Sequence, residues 1–147
     1  MEKQLILRDA DTADTDDLAL LMNELGYPTT AEEMKIRFEA IVDHPDYKTL
    51  LAVFNEEIVA MAGLIKGRYY EKNGCYVRMV AFVVKQANRN KGIGKVLIRA
   101  VEEWAIEQGC RTVLFTSRKS DERKDAYAFY QKSGYEIKSS GFVKQLS

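Results

Sequence analysis

Cysteine, proline, histidine and tryptophan are all scarce in this chain: two, two, one and one among 147 residues. Cys75 and Cys110 stand 35 positions apart with no CxxC spacing, and His44 is the one histidine that could join them. Neither a zinc site nor a disulfide framework is expected on that spacing, and the metal complement is read as none. No run reaches the ~18 consecutive apolar residues that a membrane span would need. The amino-terminal stretch MEKQLILRDADTADTDD carries acids where a secretory leader needs a basic flank and an apolar run. The expectation is a cytoplasmic, reduced protein with no membrane partner. Charge of one sign is also missing, since 22 Lys and Arg balance 22 Asp and Glu. A chain with no net field is not drawn to phosphate backbones, so nucleic acid is not expected as a partner.

What is present is ordinary for a globular domain. Hydrophobic residues make up 46% and charged residues 30%, with nine glycines, which excludes collagenous, low-complexity and disordered classes. Residues 1–147 read as a single domain, able to bury roughly two thirds of its unfolded surface.

A short apolar run, Gln4 to Leu7, opens a sheet. Asp14 or Thr15 then caps a helix carrying Leu18, Leu21, Met22 and Leu25, which Gly26 and Pro28 end. Thr30 with Glu33 three residues on is a capping box for a second helix, through Met34, Phe38, Ile41 and Val42 to about Asp43. Leu50–Phe54 and Ile58–Lys66, joined at Asn55 to Glu57, read as a β-hairpin. Cys75–Val84 ends in VAFVV, apolar enough for a central strand covered on both faces. Beyond a glycine loop, Val96, Leu97, Ala100, Val101, Trp104 and Ala105 make a wide helical stripe that Gly109 ends. Thr112–Thr116 follows a strand and a crossover helix, so it should lie parallel to Cys75–Val84. A last helix bears Ala126, Phe129 and Tyr130. Two short strands, Tyr135–Lys138 and Phe142–Leu146, close an α/β (α+β) chain.

The loop Arg89, Asn90, Lys91, Gly92, Ile93, Gly94 lies between a strand and a helix, a geometry that aims unpaired main-chain N–H groups at one point. Gly92 and Gly94 let an anion approach closely, and the helix dipole favours negative charge there. Arg89 and Lys91 add to the sign. A Walker loop is excluded because Gly94 and Lys95 are followed by Val96 and position 89 is not glycine; a dinucleotide fingerprint is excluded by Leu97 in the place of its third glycine.

The segment FVVKQANRNKGIGKVLIRAVEEWA resembles motif A of the GNAT superfamily of N-acetyltransferases, and AYAFYQKSGYE, 32 residues after Gly94, resembles its motif B. More loosely, the resemblance extends over the whole chain. It implies the GNAT fold, with a central mixed, mostly antiparallel sheet of about six to seven strands, about four flanking helices, and two central parallel strands splayed apart. It further implies transfer of the acetyl group of acetyl-CoA to a primary amine by direct attack in a ternary complex. The main-chain amides from Arg89 through Asn90, Lys91, Gly92, Ile93 and Gly94 to Lys95 would then hold the diphosphate of coenzyme A. The edge at Phe82, Val83 and Val84 would pair with its pantetheine arm, and Phe129 would wall that arm.

The same resemblance makes Tyr130 the proton donor to the departing thiolate, a role a phenol titrating near ~10 can fill toward a thiol near ~8.5. Two positions depart from the family pattern. Arg123 stands where many relatives carry an Asn against the cofactor, and an arginine there suits a phosphate. Val80 stands where relatives often carry a glutamate base, leaving Glu71, Glu24, the Tyr27 hydroxyl or a water chain to bulk as candidates. Aromatics with an acid, Tyr27, Tyr70 and Glu71, suit a cationic acceptor, whether a small molecule or a peptide amine. A homodimer is compatible with such a domain. The missing base keeps a second reading open, a GNAT-fold module that senses acyl-CoA without turning it over.

Overall fold

In the computed structural model, which describes residues 4–116, 124–138 and 141–146, the expected alternation of helices and strands is present with shifted ends. β1 (Leu5–Asp9) leads through a short turn into α1 (Thr15–Leu25). Gly26, at φ 103°, takes the left-handed conformation that lets its own N–H and that of Tyr27 return to the carbonyls of Asn23 and Met22. α2 (Ala31–Glu39) opens on Thr30, whose hydroxyl accepts from the Glu33 N–H and donates to the Glu33 carboxylate, one half of a capping box, and stops at Glu39 rather than near Asp43. β2 (Tyr47–Phe54) and β3 (Glu57–Arg68) form the hairpin. Its two linking residues, Asn55 at φ 51° and Glu56 at φ 69°, adopt the positive angles that a tight two-residue turn demands. β4 (Cys75–Val84), α3 (Ile93–Glu107) and β5 (Val113–Phe115) follow. The sheet runs β1-β2-β3-β4-β5, antiparallel throughout except for β4 and β5, which pair in parallel over Val77–Met79 and Val113–Phe115.

Leu51, Met61 and Val83 fall in one row across β2, β3 and β4, and α1 and α2 cover that row with Leu18, Leu21, Met34 and Phe38. α3 packs on β3 and β4. Its buried stripe is Ile93, Leu97, Ile98, Val101, Trp104 and Ala105, while Val96 is 41% exposed, so the stripe starts one turn earlier than the sequence pattern implied. The VAFVV run is not covered on both faces either, for Val80 is 52% exposed in a β-bulge.

The chain divides into two units, Met1–Phe115 and Thr116–Ser147. In the second, α4 (Lys124–Lys132) is closed by Gly134 at φ 93°. The strands expected at Tyr135–Lys138 and Phe142–Leu146 do not form: the described residues there make no ladder, and Ile137, Phe142, Val143 and Leu146 are exposed. The described sheet therefore has five strands in place of six to seven. Alternating residues alone do not make a strand, and two such short runs need a third to be stable.

The cysteines correct the expectation drawn from their spacing. Cys75, the first residue of β4, and Cys110, just before β5, form a disulfide with Cα atoms 4.9 Å apart, both buried. Parallel pairing of β4 with β5, with the Val77 N–H on the Thr112 carbonyl at 2.9 Å, brings two positions 35 apart in sequence side by side.

At the entry to α1 the Arg8 guanidinium grips the buried Asp14 carboxylate with two hydrogen bonds of 2.8 Å, and the Asp11 N–H adds a third. The Arg8 hydrogen bonds hold the Asp14 carboxyl below the ordinary carboxylate range, against the opposing effect of burial. A depressed carboxyl stabilises the fold above its unfolded value of ~3.9, and that contribution is lost as pH falls through the folded value. Asp14→Asn is therefore expected to cost about 2 kcal/mol at neutral pH. The urea midpoints of wild type and variant should converge below pH ~3.9, and a gap that stays constant from pH 7 to pH 3 would rule out this linkage.

Candidate active site

β4 leaves the sheet through a turn at Gln86–Asn88, and the chain then passes Arg89 in extended conformation, Asn90 at φ 65° and Gly92 at φ 80° before α3 begins. Gly92 is the N-cap and contributes no side-chain hydrogen bond, and the first turn holds no acid. The amides of Ile93, Gly94 and Lys95 thus open α3 without a capping side chain, flanked by Arg89, Lys91 and Lys95. A Cβ placed on Gly92 would meet no atom within 4 Å, so the space over the turn is open and the glycine is required for its φ. Lys91 is steadied with its ammonium 5.4 Å from the centre of the Phe54 ring, a contact that no local pattern foretells.

The facing of β4 follows from its bulge. The Val77 N–H points to the β5 side, onto Thr112, and the Lys85 N–H points to β3, onto the Val59 carbonyl at 2.8 Å. Between them the register slips by one residue, Leu64 opposing Met79 and Gly63 opposing Ala81, with Val80 as the extra residue. Beyond the bulge, alternation turns the main-chain groups of Ala81 and Val83 toward β3 and those of Phe82 and Val84 toward the other edge. The ladder with β5 ends at Met79 opposite Phe115. Phe82 and Val84 therefore face away from β3, past the end of the described ladder with β5 and immediately ahead of the uncapped start of α3.

Two side chains hold the turn between edge and helix. The Arg89 Nε–H donates to the Val84 carbonyl at 3.1 Å, and a Glu24 carboxylate oxygen accepts from the Gln86 N–H at 3.2 Å. The second contact carries an exposed acid from the end of α1 to the exit of β4, three residues before the 45% exposed Tyr27.

Tyr70 and Glu71 do not join this group. They precede the first residue of β4, whose ten residues span about 33 Å to Val84. Tyr70 is fully exposed, Tyr69 packs on Tyr76, and Lys72 stands over the Tyr69 ring. Composition grouped Tyr27 with Tyr70 and Glu71; the strand direction separates them and puts Glu24 beside β4's exit.

In the second unit Tyr130 lies in the last turns of α4, its ring edge-on to Phe129 at 5.4 Å and to Tyr135 at 6.2 Å. Its carbonyl accepts from the Ser133 and Tyr135 amides. Arg123 lies outside the described residues.

Residues 15–135 match the acetyltransferase (GNAT) family, and the chain belongs to that family. Over 146 residues it is 32% identical to the aminoalkylphosphonate N-acetyltransferase of Salmonella typhimurium, covering 95% of this chain and 90% of that protein. The crystal structure of a GNAT family acetyltransferase from Staphylococcus aureus superposes with a TM-score of 0.82 at 33% identity, over 97% of this chain and 98% of that one. The aminoglycoside N-acetyltransferase AAC(6')-Iy, in complex with CoA, shares the fold, with a TM-score of 0.83 at 17% identity over 100% of this chain and 98% of that one.

Proposed function

We propose that this protein is an acetyl-CoA-dependent N-acetyltransferase acting on a primary amine of a small molecule, by direct attack in a ternary complex. The observation that carries this reading is the succession on one stretch of chain of an edge at Phe82 and Val84 and an uncapped, cation-flanked helix start at residues 89–95. Coenzyme A has an amide-bearing arm and a diphosphate in the same succession, and the chain's groups suit each. The family match supports the same reading and runs through both units, consistent with a single domain.

When bound, acetyl-CoA supplies a thioester whose acetyl group passes to the amine nitrogen while the sulfur leaves with the bond's electron pair. The amides opening α3 bind the diphosphate, aided by the helix dipole and by Lys91 and Lys95. Arg123, in the charged run before α4, is a further phosphate ligand. An N–H of the β4 edge stabilises the negative charge that develops on the carbonyl oxygen. The Tyr130 hydroxyl gives its proton to the departing sulfur, and Phe129 lines the arm. Glu24 and Tyr27 hold the acceptor as its ammonium and help pass its proton to water, in place of the base that Val80 cannot be.

The relative from Salmonella typhimurium makes aminoalkylphosphonates the first acceptors to try. An amine panel with thiol detection at fixed acetyl-CoA should show thiol release with at least one small amine, aminoalkylphosphonates among them. Acetyl-CoA binding with no release across the panel would assign instead an acyl-CoA sensor, the reading that Val80 in the bulge favours.

A further inference from the structure

We infer that Arg89 is a positioning residue whose hydrogen bond to the Val84 carbonyl fixes the spacing between the β4 edge and the anion-binding turn of α3, seating the donor's arm independently of its phosphates. The inference rests on the proposed docking of an acyl-CoA arm along β4.

An arginine in an anion-binding turn is expected to aim its guanidinium at the anion. Here the main chain at Arg89 is extended, at φ −70° and ψ 159°, and the side chain turns back across five residues to spend its Nε–H on a main-chain carbonyl at 3.1 Å. That carbonyl belongs to Val84, one of the two residues whose polar groups face the edge beyond the β5 ladder. A carbonyl oxygen has two lone pairs, so Arg89 fills one and leaves the other to an incoming amide. The rest of the turn is held separately. The Gln86 N–H goes to Glu24, the Lys85 N–H to Val59, and the Asn88 N–H to the Lys85 carbonyl at 2.9 Å. None of those contacts touches the docking edge itself. Arg89 does, and its Nη atoms stay available for charge, so one side chain links the two halves of the donor site.

The test is steady-state kinetics with two donors, acetyl-CoA and S-acetylpantetheine, which has the same arm and no diphosphate. Arg89→Lys keeps the charge but not the planar donor set. It is expected to raise the KM for both donors about two- to tenfold at nearly constant kcat, the range that loss of one hydrogen bond gives. Arg89→Gln loses the charge but keeps an amide N–H. It should leave the S-acetylpantetheine KM within about twofold of wild type while the acetyl-CoA KM rises. If Arg89→Lys leaves S-acetylpantetheine untouched and weakens acetyl-CoA alone, Arg89 is only a phosphate ligand and the inference fails, as it does if neither KM moves. Wild type releasing no thiol from either donor with any amine would bring down the proposed function itself, a result separable from the first two.

Discussion

Tyr130→Phe is expected to lower kcat for thiol release by about 100- to 10,000-fold, while the KM for acetyl-CoA shifts by less than about threefold. The change removes one hydroxyl and nothing else. The ring contacts with Phe129 and Tyr135 survive, as do the two hydrogen bonds to the Tyr130 carbonyl. What is lost is the donor proposed for the leaving group. A thiolate whose conjugate acid titrates near ~8.5 can leave unassisted, but slowly beside one that takes a proton or hydrogen bond from a phenol near ~10. A hundredfold loss corresponds to about 2.7 kcal/mol of barrier, more than an exposed hydrogen bond supplies and within the reach of general acid catalysis. Thiol release measured with a saturating amine, beside the melting temperature of the variant, separates chemistry from folding. An unaltered kcat in a folded Tyr130→Phe protein removes Tyr130 from the mechanism.

The strand, glycine turn and helix around residues 82–105 were legible because each carries a local signal: an apolar run, two glycines and a helical stripe. The facing of the edge was not. It depends on the bulge at Val80, and a bulge is a matter of register between β3 and β4 that neither strand records alone. Tyr70 and Glu71 were grouped with Tyr27 for the same reason, since aromatic and acidic composition is blind to which end of a strand a loop occupies. Glu24 reaches the exit of β4 because α1 runs back along the sheet, a tertiary fact with no local pattern. The final strands failed differently. Tyr135–Lys138 and Phe142–Leu146 have the alternation of strands, but pairing is decided by a neighbour and the described residues supply none.

The disulfide carries the largest expected effect on stability. Cys75 and Cys110 close a ring with a sequence separation of 35, and that ring contains the whole of β4, the glycine turn and α3. Cross-linking a loop of this length removes about 4 kcal/mol of chain entropy from the unfolded state, on the loop-closure estimate. For a chain of this size the loss should appear as a melting temperature lower by about 10 °C on reduction with dithiothreitol. Cys75→Ala/Cys110→Ala should melt near the reduced protein and be indifferent to reductant. Serine would be a poor substitute, because Cys110 is wholly buried and a hydroxyl there would need a partner. Protein isolated as the dithiol should close the bridge with oxidised glutathione, since a Cα separation of 4.9 Å lies within the range a disulfide spans. Thiol titration counts the two states, and a melting temperature that moves by less than about 2 °C between them would show that the ring is held by its packing rather than by its cross-link. Because the bridge pins β4 to β5 at the end of the ladder remote from Phe82 and Val84, reduction should lower stability far more than it changes the KM for acetyl-CoA.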